Sequence, residues 1–196
     1  VLTIPRMTDA EMLEILNVGF DKLTIDGEDR VIASLASSFG GFPKYAHAIG
    51  LELTRAVYAI NQRQLTMDCV KRGIGAFLRR YCRIAKTRYD KATIVRCKPK
   101  PEYLLVVKAL SEIGMLRDFT LDEAEQAVND YIRKDSLGLS KPGQPFNMPR
   151  KMLRTILNRL SKPERGSMFM RSKITGRYSF SDPLSPIYTS IGEYVA

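Results

Sequence analysis

Histidine is almost absent from this chain: His47 is the sole one in 196 residues. One imidazole without partners builds neither a metal site nor a nucleophilic triad, and its ordinary place is a half-buried helix position. Cysteine is scarce as well, with Cys69, Cys82 and Cys97 odd in number and without C-x-x-C spacing. That pattern fits a reducing, cytoplasmic compartment better than a secreted disulfide scaffold. No apolar run approaches about 18 residues, so neither a membrane span nor a membrane partner is expected. The opening Val1-Leu2-Thr3-Ile4-Pro5 has no initiator Met and no signal-peptide pattern, which leads us to expect a piece of a longer protein.

The motifs of common enzymes are missing too. There is no G-x-x-x-x-G-K-[ST] loop to cradle phosphates, no G-x-S-x-G, and no strand ending in Asp-Glu to hold magnesium. Gly73-Ile74-Gly75 falls inside a helical pattern, where glycines serve packing. Glu11/Glu14 and Asp122/Glu123/Glu125 sit in first helical turns, where carboxylates complement the helix dipole. No catalytic residue and no metal ligand is expected in this chain.

What the chain does have is positive charge, in two blocks. The net charge is +10, but residues 71–100 hold 11 Lys/Arg against Asp90 alone, and residues 141–177 hold 10 against Glu164 alone. Two basic blocks on an otherwise mildly acidic chain point to a polyanionic partner, the plain alternative being solvated helix faces.

Periodicity yields a mainly α chain. Thr8-Asp9-Ala10-Glu11 reads as a capping box opening a helix that Gly19 ends. A second helix covers Glu28 to Ser38, and a third runs from about Phe42 to Asn61 with Ala46, Ile49, Leu53, Ala56, Val57 and Ile60 on one stripe. A fourth starts near Thr66 and ends before Asp90, completing a four-helix bundle over residues 1–90. Residues 91–97 break the period and read as a linker. From 98 to 196 the expected order is a helix over 101–113, a helix opened by Thr120-Leu121-Asp122-Glu123, a loop from Ser136 to Asn147, and a helix from Asn147 to Leu160. A β-hairpin turning at Thr175-Gly176-Arg177 follows. Three helices and a hairpin is the order of a winged helix with a small β-hairpin.

One segment hints at a small molecule. In Gly40-Gly41-Phe42-Pro43-Lys44-Tyr45 a glycine pair runs into proline at the first position of a helix, where a missing N–H is harmless and the free N–H groups can meet an anion. Gly41-Phe42-Pro43 resembles the G-x-P motif at the lid of AAA+ and STAND ATPases. The opening Leu2-Thr3-Ile4-Pro5-Arg6-Met7-Thr8 is similar to the segment leading into such a lid, and Tyr178-Ser179-Phe180-Ser181-Asp182-Pro183-Leu184 to the end of the winged helix that follows it. The resemblance covers nearly the whole chain. It implies a non-catalytic C-terminal lid and winged-helix region of an ATP-binding parent, coupling nucleotide state to DNA or partner binding. It further implies ATP or ADP against Gly41, Phe42, Pro43 and Lys44, with Mg and the ATPase core on the parent, weak nucleotide affinity for this piece alone, and a homo-oligomer formed through the parent. Lys44 stands where many such lids carry an arginine, and a lysine attracts a phosphate without orienting it.

On the winged-helix side the candidate DNA-binding residues are Arg150, Lys151, Arg154 and Arg159 on the third helix, and Arg171, Lys173 and Arg177 on the hairpin. In a DNA-binding winged helix the third helix enters the major groove and the wing touches the backbone. The long loop ahead of that helix departs from a compact helix-turn-helix. Protein contact and an uninvolved solvated face remain as alternatives for these cations. Two further readings stand beside the lid: a free-standing winged-helix DNA-binding regulator, and a protein-interaction scaffold.

Overall fold

The computed structural model describes residues 6–134 and 147–192. These are mainly helical, with three short two-stranded pairs. Among the described residues no helix is long and apolar enough to cross a membrane. The chain divides between Arg83 and Ile84 into two compact units; the second ends at Thr189, and residues 190–192 group with the first.

In the first unit, α1 (Asp9–Lys22) opens on the expected capping box: the Thr8 N–H donates to Glu11 Oε2 at 2.7 Å and the Glu11 N–H to Thr8 Oγ1 at 3.3 Å. The Thr8 N–H lowers the Glu11 carboxyl from its ordinary value. Gly19 does not end this helix, which runs one turn further and buries Phe20. After β1 (Asp26–Gly27) come α2 (Asp29–Ser37), α3 (Pro43–Tyr58), β2 (Gln64–Leu65) and α4 (Met67–Tyr81). β1 and β2 pair in parallel. Met12, Leu16, Leu35, Ile49, Leu53, Val57 and Ile74 are buried, and Phe39 meets Phe77 edge-on at 5.9 Å between ring centres. Glu52 is only 3% exposed, and a carboxylate so buried needs cations. Arg55 at 2.8 Å and Arg80 at 3.0 Å supply them.

The expected fourth helix is two helices. Cys82 (φ −104°, ψ 16°) interrupts the spiral, and α5 (Arg83–Thr93) starts afresh. From Ile84 on it belongs to the second unit, where Ala92 is fully buried and Tyr89 packs on the core. The span 91–97 is therefore no linker. It holds the end of α5 and β3 (Ile94–Val95), which pairs antiparallel with β4 (Lys98–Pro99) around Arg96 and Cys97, both at positive φ as a two-residue hairpin turn requires.

α6 (Pro101–Leu116) follows, then Phe119, then α7 (Leu121–Lys134). The expected loop from Ser136 lies outside the described residues up to position 146. α8 (Arg150–Leu160) starts after Pro149, and a single 3₁₀ turn leads to β5 (Phe169–Arg171), antiparallel to β6 (Tyr178–Phe180). Phe119 exchanges both backbone hydrogen bonds with Tyr178, at 2.8 and 2.7 Å, so one residue between α6 and α7 extends the hairpin sideways. Leu105, Val106 and Leu110 of α6, Ala124 and Val128 of α7, and Leu153, Ile156, Leu157 and Leu160 of α8 enclose Phe119, Phe169 and Tyr178 in one core. The sequence reading has no counterpart for α9 (Leu184–Ile191), which opens where the Leu184 N–H donates to Asp182 Oδ1 at 3.0 Å.

Candidate nucleic-acid interface

α8 is held to the second unit by its apolar edge. Leu153, Ile156, Leu157 and Leu160 recur at helical spacing and are all buried, which turns Lys151, Arg154, Thr155 and Asn158 outward on a single stripe. Lys162, two residues past the helix, is exposed.

Two arginines brace the stripe from either side. Arg150 donates from Nη1 to Asp122 and to Glu125 Oε2, the latter at 2.9 Å, both on α7. Asp122 first, then Glu125, raises the pKa of its guanidinium further. On the opposite flank Arg159 Nη1 donates to the Tyr103 hydroxyl of α6 at 3.2 Å, and that bond likewise favours its charged form. Lys151 and Arg154 have no ion-pair partner among the described residues. The four cations that sequence groups on α8 are thus two braces and two unpaired charges.

The hairpin divides in the same way. Arg177 Nη2 donates to the Asp118 carbonyl at 2.7 Å and to Glu123 Oε2 at 3.0 Å, which ties β6 to the start of α7. Glu123 caps α7 by accepting from the Thr120 N–H at 2.7 Å and also meets Arg117 Nη1 at 2.7 Å. Its carboxyl lies below the ordinary value, first because of the Thr120 N–H and then through Arg117 and Arg177. Arg171 folds back on the Gly176 carbonyl at 3.3 Å and over the Tyr178 ring at 5.6 Å. Lys173 stays exposed at the tip beside Ile174, which is 96% exposed. The outward set is then Lys151, Arg154 and Lys173, with Thr155 and Asn158 as polar residues that sequence reading passed over. Their signal was there, since both fall on the Lys151/Arg154 stripe at i+4 and i+7 from Lys151.

At the head of α3 the four proposed nucleotide contacts are differently placed. Gly41 is buried at φ +73°, and a Cβ there would come within 2.3 Å of the Met7 carbonyl oxygen. The Met7 N–H donates to the Gly41 carbonyl at 3.1 Å. The close approach that this glycine permits is therefore made by residues 6–7 of the same unit. Pro43 and Lys44 are exposed, and Phe42 is half-buried with the Tyr45 ring at 5.6 Å. Arg6, which sequence reading did not single out, stands over the Phe42 ring at 4.5 Å with Nη1 3.4 Å from the Gly40 carbonyl.

His47 is exposed beside a small cleft between α1 and α3, and no group of three or more metal-ligating side chains occurs among the described residues. No known family, curated protein or solved structure matches the chain.

Proposed function

We propose that the second unit is a winged helix that binds double-stranded nucleic acid through α8 and the tip of the β5–β6 hairpin. The observation that carries this reading is the outward stripe of α8, where Lys151 and Arg154, without an ion-pair partner among the described residues, stand next to Thr155 and Asn158 while Arg150 and Arg159 brace the helix on both flanks. Cations fix a protein on the phosphates, and short polar side chains on the same stripe can reach base edges. The Phe119–Tyr178 bridge supports the fold assignment, because a strand residue between the first two helices that pairs with the wing belongs to that architecture. A protein-interaction scaffold is the competing reading.

Fluorescence anisotropy with a 20-base-pair duplex at two or more salt concentrations tests it. Binding should weaken steeply with salt, and Lys151→Ala with Arg154→Ala should lower the slope of log K against log salt by about 2, near 0.9 for each phosphate contact removed. Absent or salt-insensitive binding favours the scaffold.

A second reading concerns the first unit: a lid that closes over ATP or ADP held by an ATPase core on the parent protein. Its support is the exposed Pro43 and Lys44 at the start of α3, with Arg6 and Phe42 stacked beside them. Arg6 offers the guanidinium that such a turn lacks in sequence.

A further inference from the structure

We propose that the cleft between the start of α6 and α8 binds a small amphipathic anion, an aromatic or acyl body carrying one carboxylate or phosphate group. The cleft has a volume of about 400 Å³, and its floor is Tyr103, Met152 and Ile156. Around that floor stand Lys100, Lys151 and Arg159, with Glu102 as the one acid in the lining.

The charges converge on a single ring. Lys100 Nζ is 4.6 Å from the centre of Tyr103, Arg165 reaches 6.0 Å of it, and Arg159 donates to its hydroxyl at 3.2 Å. Neither Lys100 nor Lys151 has an ion-pair partner among the described residues. The backbone adds to the same field. α6 and α8 both open without a side-chain cap, at Lys100 and Pro149, and the first turns of both helices line the cleft. The free N–H groups at the start of α8 and the dipoles of both helices favour an anion there.

These features select a ligand. An apolar body gains the floor, while one anionic group gains the lysines and the two helix ends. A neutral analogue loses the second contribution, and a bare phosphate loses the first. Lys151 and Thr155 belong both to this cleft and to the outward stripe of α8, so on the duplex reading an occupant would also obstruct nucleic acid.

The test uses 2-naphthoate and its neutral counterpart 2-naphthalenemethanol, titrated into the whole chain and followed by amide NMR without nucleic acid present. 2-Naphthoate should give saturable shifts at Lys100, Glu102, Tyr103 and residues 150–159, and the alcohol should bind about ten-fold more weakly. Lys100→Glu with Lys151→Glu should weaken 2-naphthoate by about ten-fold or more and leave the circular dichroism spectrum unchanged. Equal affinity for the two compounds, no saturable shift, or shifts confined to the cleft between α1 and α3 would overturn the assignment. Because the titration contains no duplex, failure of the nucleic-acid reading leaves it intact.

Discussion

Gly19 and Gly73 both lie inside helices, yet a methyl group added to each would meet different surroundings. Nothing lies within 4 Å of a Cβ at Gly19, whereas at Gly73 it would sit 2.7 Å from Leu53 Cδ2 and 3.0 Å from Leu53 Cα. Gly19→Ala should therefore raise stability by about 0.5–1 kcal/mol, the helix-propensity gain of alanine over glycine. Gly73→Ala makes the same gain but forces α4 away from the backbone of α3. Overpacking of this kind costs about 1–3 kcal/mol, so the net change should be a loss. Urea unfolding of the two variants checks both signs, and a Gly73→Ala protein more stable than its parent would show that α3 yields easily. The helical pattern around Gly73-Ile74-Gly75 points to packing, and Gly73 packs on Leu53. Sequence reading misread Gly19 as a helix end, because a glycine at a stop and a glycine facing open space look alike until the neighbours are known.

Among the elements, α7 is fixed at its start by Glu123, which caps the helix, meets Arg117 and receives Arg177 from the turn ahead of β6. These partners place its folded pKa below the ordinary 4.5. A depressed carboxyl contributes stability that is complete above the unfolded pKa and is lost as pH falls through the folded one. Glu123→Gln should thus lower the melting temperature at pH 7, and its deficit against the parent should shrink below pH 4.5 and vanish once both states are protonated. A deficit of the same size at pH 3 would mean that Glu123 acts through shape rather than charge. The helix itself was legible, since Thr120 and Glu123 form the capping box that their spacing announces. Its tie to Arg177 was not, because 54 residues separate the partners and Arg177 looks like any wing cation. The break at Cys82 was equally hidden: no proline or glycine marks it, and the apolar period passes straight through while the chain changes from one core to the other. The Asp182-Pro183 pair ahead of α9 was a readable start signal, an acceptor followed by a proline at the first turn.

Over the whole molecule the charge follows the division of the chain. Residues 84–189 carry 20 Lys/Arg and 11 Asp/Glu, a net +9, whereas residues 1–83 carry 11 and 9, a net +2. The excess of positive charge thus lies in the second unit, and in the lid reading the first unit supplies the response to nucleotide. For nucleotide to alter duplex binding, it must bind two states of the parent with different affinity. Contacts at the head of α3 would carry that difference. In the parent protein, then, duplex affinity should differ between ATP and ADP. Pro43→Glu should remove the difference while leaving nucleotide-free duplex affinity unchanged, since Pro43 is exposed and lies in the near-neutral unit. Anisotropy titrations of the parent and the variant with each nucleotide measure this directly. A parent without a phosphate-binding loop, or one whose duplex affinity ignores nucleotide, would reduce the first unit to a helical companion of the second. The +9 unit would then act as a nucleic-acid binder without an ATP-driven switch.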